Sequence, residues 1–173
     1  MNAKEVFIES FERIPELVHD AVADLDLDAL TFRIDPEANT IAWLVWHLTR
    51  IQDDHVAGVA SLEQVWVTNG WFDRFALPFD RAAHGYGHSV EEVGAVRTEA
   101  DLLSGYYDDV HAQTREYVAS LADADFDRVV DRRWDPPVTL GARLVSVIGD
   151  DLQHAGQAAL IRGVALRRRE RAS

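Results

Sequence analysis

Histidine and aspartate at helical spacing are the residues of this sequence best suited to chemistry. Asp150 and His154 lie four residues apart in a segment of helical periodicity, which puts their side chains on one helix face about 6 Å apart. That spacing lets one helix give two ligands to one metal ion. Because the chain contains no cysteine, imidazole and carboxylate are the strong ligands that it can offer a transition metal.

A third candidate ligand, His47, lies inside the apolar run IAWLVWHL. A polar ring in such a run faces the core or a cavity and needs a partner in either case. If its helix neighbours that of Asp150 and His154, the three residues form a two-histidine, one-carboxylate set that leaves positions open for water or substrate. A hydrogen-bonded His–Asp pair without metal fits the same spacing, and spacing alone favours that plainer interpretation.

Three further residues are candidates around this set. Asp151 is the alternative carboxylate ligand, because a small error in helical register would exchange it with Asp150. Asp54 follows His47 by seven residues, so it lies on the same helix face two turns along and is the candidate catalytic carboxylate. Gln157, one turn after His154, is the candidate cofactor-binding residue, placed to hydrogen-bond a substrate or to hold a neighbouring ligand. Solvation for Asp54 and interhelical packing for Gln157 are the more common alternatives.

The remaining histidines carry weaker signals. His55 and His111 fall in helical segments, where we expect them to be hydrogen-bonded side chains of a helix bundle. His84 and His88 have the spacing of a helical metal pair, but Gly85-Tyr86-Gly87 between them breaks the helix that would align them. We therefore predict a loop there.

Four helices must position these residues. Apolar residues recur at spacings of three and four along each of them, which predicts an all-α protein with an antiparallel four-helix bundle. Thr40 and Thr139 are the expected N-caps of the second and fourth helices. The predicted helices cover residues 3–23, 40–60, 98–121 and 139–167.

Two connections stand out between these helices. Residues 61–97 have no sustained period and are rich in aromatic side chains, so we predict a long connection with short helical turns. It is long enough to cross the bundle and let the second and third helices run parallel. Residues 129–134 are expected to form a short extended piece before Pro136-Pro137.

Composition bounds the class of protein and its partners. The 173 residues, 47% of them hydrophobic, predict a single folded domain over 1–173. A net charge of −13 argues against nucleic-acid binding. The basic segment Arg167–Arg171 is expected to be a solvated helix end, with contact to an acidic partner or a membrane as the less common alternative. No stretch of 18 apolar residues occurs, so we expect no membrane partner and a cytoplasmic location.

Two segments carry a family resemblance. WLVWHLTRIQDDH (43–55) and DDLQHAGQAALIRG (150–163), in this order on the second and fourth helices, resemble the DinB-like superfamily. That group includes DinB/YfiT-type proteins and the N-terminal domain of mycothiol-dependent maleylpyruvate isomerase. The most specific part of the likeness is His154, Gly156 and Gln157 after a ligand four residues earlier. The likeness covers essentially the whole chain.

The resemblance implies an up-down-down-up four-helix bundle that holds one divalent metal ion. His47, Asp150 and His154 match the three ligand positions of the family. Many members have histidine at the second position and the isomerase has glutamate, so Asp150 is a departure with a shorter reach. Zn²⁺ or Ni²⁺ is the expected ion, with Fe²⁺ or Mn²⁺ as alternatives.

The resemblance also implies a function. Members with known activities are similar to S-transferases or isomerases that use a small cellular thiol, and the lack of cysteine fits a thiol supplied from outside. We therefore predict a metal-dependent transferase or isomerase that joins mycothiol or a similar thiol to a small electrophile. The aromatic residues beside His47 and in the long connection are candidate apolar walls of a substrate pocket, although such a cluster is more often core or dimer surface. They are Trp43, Trp46, Trp66, Trp71 and Phe72. The alternative is a non-catalytic metal-binding or stress-associated protein. In either case a homodimer is expected.

Overall fold

Helices make up most of the chain in the computed structural model, which describes residues 1–172. Ser173, the last residue of the expected domain, lies outside the described residues. The helices are α1 (Ala3–Glu12), α2 (Ile14–Val22), α3 (Leu27–Leu30), α4 (Ile41–Ala60), α5 (Val65–Thr68), α6 (Trp71–Phe75), α7 (Val90–Ala95), α8 (Ala100–Ser120), a 3-10 helix (Asp123–Asp127) and α9 (Leu140–Ala172), with strands β1 (Val129–Asp131) and β2 (Val138–Thr139) before α9.

The first predicted helix, residues 3–23, is two helices in the structure. The chain turns at Arg13 between α1 and α2, and Pro15 occupies the first turn of α2. Proline has no N–H to donate to the carbonyl four residues earlier, and its ring clashes with that carbonyl, so a continuous helix through Phe11 and Pro15 is disfavoured. Phe11, Ile14 and Val18 nevertheless remain buried on one side of the pair.

The last helix is longer than the predicted 139–167. Arginines of its final turns bind the segment that joins α2 and α3: Arg162 donates to the Ala23 carbonyl, and Arg169 pairs with Asp26. Arg168 lies over the ring of Phe32. The basic end of α9 is therefore tied to the rest of the chain by cation contacts as well as being partly solvated.

The long helices surround a common core. Helix α4 packs against α8 and α9, and α2 packs against the same two helices. Every residue of α4 from Ile41 to Asp53 is buried, because the aromatic-rich connection over 61–97 covers the side of α4 that the other long helices leave open. A polar side chain on α4, such as His47, is thus held in a defined environment.

The predicted short extended piece over 129–134 is a strand only in its first half, β1, which pairs antiparallel with β2 and places Val129 opposite Thr139. Thr139 then caps α9, since its hydroxyl accepts from the Ala142 amide. Among residues 1–172, no helix combines the length and the apolar character that crossing a membrane would require.

Candidate metal centre

His47, Asp150 and His154 meet between α4 and α9. Each offers a ligand atom, and these three atoms all lie within 4.8 Å of one another. Asp150 Oδ1 is 3.6 Å from His154 Nε2, one helical turn away. The packing of α4 against α9 brings His47 to the pair, as the two-histidine, one-carboxylate hypothesis requires.

His47 is fixed from the side opposite the ligand cluster. Its Nδ1–H donates to the carbonyl oxygen of His84 at 2.5 Å, and its ring stacks on Trp43 with centroids 4.5 Å apart. Burial lowers the pKa of His47 below its usual value, against the opposing effects of the His84 carbonyl and the Asp150 charge. The ring is therefore neutral at pH 7, and its Nε2 is a free lone-pair donor.

His154 is oriented in the same way by a different partner. Its Nδ1–H donates to Oε1 of Gln157 at 2.9 Å, which leaves Nε2 on the side of Asp150. A hydrogen bond to the outer nitrogen of a metal-ligating histidine fixes its tautomer and orientation. Gln157 thus contacts the neighbouring candidate ligand, which is one of the two roles that its position in the sequence suggested.

The donor set fits a divalent cation. Asp150 Oδ2 is buried and has no hydrogen-bond partner among the described residues, although a buried carboxylate oxygen normally has one. It lies beside two imidazoles that each offer a free Nε2. Two imidazoles and one carboxylate are ligands that Zn²⁺, Ni²⁺ and Fe²⁺ accept.

Asp151, the alternative ligand, points elsewhere. Its carboxyl group is fully buried in the core, away from the group formed by His47, Asp150 and His154. Burial, together with the charge of Asp150, raises the pKa of Asp151 well above its usual value. The two neighbouring carboxylates therefore occupy different environments on one helix.

Asp54 lies outside the ligand cluster. Its Oδ1 accepts from Gln64 Nε2 at 2.8 Å, and its Oδ2 is 3.4 Å from His55 Nδ1. The hydrogen bond from His55 lowers the pKa of Asp54, so this carboxylate is ionised at neutral pH. It lines a cavity of about 590 Å³ near the end of α4.

The loop over 83–88 has a part in the site that its sequence did not predict. It is a loop, as expected, but it also closes against His47 through the His84 carbonyl. Arg50, buried on α4, holds it by donating from Nε to the Ala83 carbonyl at 3.0 Å. The glycines of this segment were the sequence feature that could have indicated an unusual backbone here, since Gly85 and Gly87 both have positive φ.

The predicted aromatic walls and the last loop histidine also lie here. Trp43 Nε1–H donates to His88 Nδ1 at 3.2 Å, and the His88 ring stacks on Trp46. Trp43 in turn meets the edge of His154, with centroids 6.2 Å apart. The candidate centre thus has an apolar, aromatic side formed by α4 and the loop.

The two helical histidines lie outside the candidate centre. His55 pairs with Asp54, and His111 lies 3.7 Å from Glu12, as side chains of the bundle.

Comparison with known proteins gives a family and similar solved structures. The profile of the family described as Mycothiol-S-transferase matches residues 7–165. No curated protein matches the sequence. Among solved structures, the chain is similar to a conserved protein from Enterococcus faecalis, with a TM-score of 0.89 and 28% sequence identity over 96% of this chain and 98% of that one.

Proposed function

Because this chain belongs to the mycothiol S-transferase family, within the DinB-like superfamily, we propose that it is a metal-dependent S-transferase or isomerase that joins a small thiol to a small electrophile. The observation that carries the proposal is the ligand cluster of His47, Asp150 and His154, whose ligand atoms lie within 4.8 Å of one another. A divalent cation held by these residues would lower the pKa of a bound thiol, so that the nucleophilic thiolate would be available at neutral pH.

In this proposal the chain's own residues hold the two ligand imidazoles in a fixed orientation and supply a proton acceptor. His47 and His154 present Nε2, and each is held through Nδ1 by a fixed acceptor, the His84 carbonyl or Gln157. Because both rings are oriented before any ligand arrives, little rotational entropy is lost on binding. We propose Asp54 as a proton acceptor that is reached through water, because it is ionised and lies on the His47 face of α4 but about 10 Å along, too far for a direct hydrogen bond to a group at the ligand cluster.

Solvent access supports a catalytic centre over a closed structural one. The side chains of His154 and Asp150 retain 15% and 29% of their accessible surface, whereas a structural metal site is normally closed. Three protein ligands also leave coordination positions for an exchangeable partner. The rival function, a non-catalytic or stress-associated metal protein, requires neither feature.

The remaining parts of the proposal rest on the family. We propose mycothiol or a similar low-molecular-weight thiol as cosubstrate, Zn²⁺ or Ni²⁺ as the ion, and a homodimer as the assembly. We also propose one domain over 1–173 with an up-down-down-up arrangement of α2, α4, α8 and α9. The long connection between α4 and α8 supports this order, because it has the length to return the chain to the end of the bundle where α4 began.

The proposal is tested first by metal content and then by thiol transfer. Tag-free wild-type protein should carry near one equivalent of a divalent metal by mass spectrometry, and His154→Ala should carry little. His19→Ala is the matched control, because His19 is an exposed histidine of α2 paired with Asp108. Metal-loaded wild type should then conjugate mycothiol to an electrophile such as monochlorobimane. Stable metal binding without any thiol conjugation would support the non-catalytic alternative.

A further inference from the structure

Arginine is concentrated in one cavity of this acidic protein. The cavity has a volume of about 590 Å³ and lies between the end of α4, the β1–β2 hairpin and the start of α9. Four arginines line it, although the chain as a whole has a net charge of −13. They are Arg128, Arg132, Arg133 and Arg143.

The carboxylates of the cavity neutralise only part of this charge. Asp131 is shared by two arginines: Arg133 binds both of its oxygens, at 3.0 and 2.8 Å, and Arg143 lies 3.3 Å from Oδ2. Asp54, the other carboxylate, pairs with His55. The cavity is therefore richer in positive than in negative groups.

Within residues 1–172, two of the guanidinium groups have no carboxylate partner. Arg128 donates to the Val59 carbonyl at 3.2 Å and to the Tyr117 hydroxyl at 2.9 Å, both neutral acceptors. Arg132 is exposed at the cavity, and no hydrogen bond or ion pair joins it to another residue of the described range 1–172. Their donors are available to an external acceptor.

We propose that this cavity binds the oxyanion group, a phosphate or a carboxylate, of a small acidic molecule. Guanidinium groups match both oxyanions, because their planar fork of N–H donors forms paired charge-assisted hydrogen bonds. The volume suits a small molecule. The net charge of −13 disfavours a long polyanion such as nucleic acid, whereas a small anion in the cavity meets the local positive charge of the arginines.

This site is distinct from the candidate metal centre. Asp54 and Arg143 each lie seven residues, or about 10 Å of helix, from His47 and Asp150 respectively. The inference does not depend on the proposed thiol chemistry, since anion binding at the arginines needs no metal. A ligand held here would lie along the same α4–α9 seam as the metal ligands.

The test is calorimetric titration of the full chain with inorganic phosphate and, separately, with malonate at low ionic strength. Wild type should bind one equivalent saturably. Arg132→Gln should weaken binding about fivefold or more, as expected for a lost charge-assisted contact, and the fold should be unaffected because this exposed side chain makes no hydrogen bond or ion pair within the described residues. Arg97→Gln removes the same charge from another part of the chain and should leave the affinity unchanged.

A third variant separates the cavity from the metal centre. His154→Ala should retain anion binding, because His154 does not line the cavity. The proposal is overturned if wild type shows no saturable binding, if Arg97→Gln weakens it as much as Arg132→Gln, or if His154→Ala abolishes it. The ratio of phosphate to malonate affinity then identifies which oxyanion the cavity prefers.

Discussion

Gly85 and His47 approach each other so closely that no side chain fits between them. A β-carbon on residue 85 would lie 2.6 Å from Nδ1 of His47, a separation that folded proteins do not tolerate without displacement. The backbone of Gly85 also has a φ of +95°, which favours glycine. The loop over 83–88 thus positions a candidate metal ligand by backbone contact, so the identity of residue 85 bears on metal binding.

We expect Gly85→Ala to lower metal affinity by displacing the His47 ring. Gly87→Ala is the matched control, because Gly87 has a φ of +76° but nothing within 4 Å of the place that a β-carbon would take. Both variants carry backbone strain of about 1 kcal/mol, and only the first has the clash. Metal content by mass spectrometry should fall in Gly85→Ala alone; equal losses in both would assign the effect to strain.

Gln157 should act on metal binding through His154. Replacing it with leucine removes the acceptor for Nδ1–H at 2.9 Å, and the loss of such an outer hydrogen bond typically weakens metal affinity about 10–100-fold. Gln157→Glu keeps an acceptor and should restore much of the affinity. Competition with a chromophoric chelator measures the change.

The control for Gln157→Leu is Gln153→Leu, an exposed glutamine on the preceding turn of α9. It should bind metal like wild type. If the two leucine variants behave alike, the hydrogen bond to His154 has no part in metal binding.

Substitutions of the two adjacent aspartates should have opposite effects on metal binding. Asp150→Asn removes the anionic ligand and should abolish stoichiometric metal binding, whereas Asp151→Asn should retain it because the Asp151 carboxyl lies in the core. Metal analysis of both purified variants checks this, with circular dichroism to establish that each is folded. Retention in Asp150→Asn with loss in Asp151→Asn would exchange the two assignments.

Local periodicity predicted the helices that carry the ligands, because spacing of three and four residues depends only on helix geometry. It also placed Asp150 and His154 on one face. The break at Arg13 escaped it because the apolar pattern of α1 and α2 continues across the turn, while Pro15 interrupts only the backbone.

Contacts between distant segments could not be predicted in this way. The closure of the 83–88 loop on His47 joins residues 37 positions apart, and residues 61–97 have no period from which their path could be derived. The arginine cavity likewise arises only when the β1–β2 hairpin lies beside the end of α4. Such non-local packing is set by the tertiary fold and leaves little local pattern.

His111 should make stability depend on pH. It stacks on Tyr107 and faces Glu12, Arg115 and Asp108, and burial lowers its pKa despite the nearby Glu12 charge. When the folded-state pKa lies below the unfolded value, the unfolded chain takes up protons first as pH falls. Stability from the neutral ring is therefore complete above about pH 6.5 and decreases as pH falls below it.

Thermal unfolding of chelator-treated wild type and His111→Gln at pH 7.5 and 5.5 tests this. Between these values the wild-type Tm should fall further than that of the variant, by on the order of 1–2 °C, a small difference because the partly solvated ring is screened by water. The comparison between variants matters because other buried groups titrate as well: burial raises the pKa of Asp53 and lowers that of His88. These contributions are common to both proteins and cancel. Parallel decreases in Tm would therefore mean that His111 has the same pKa in the folded and the unfolded chain.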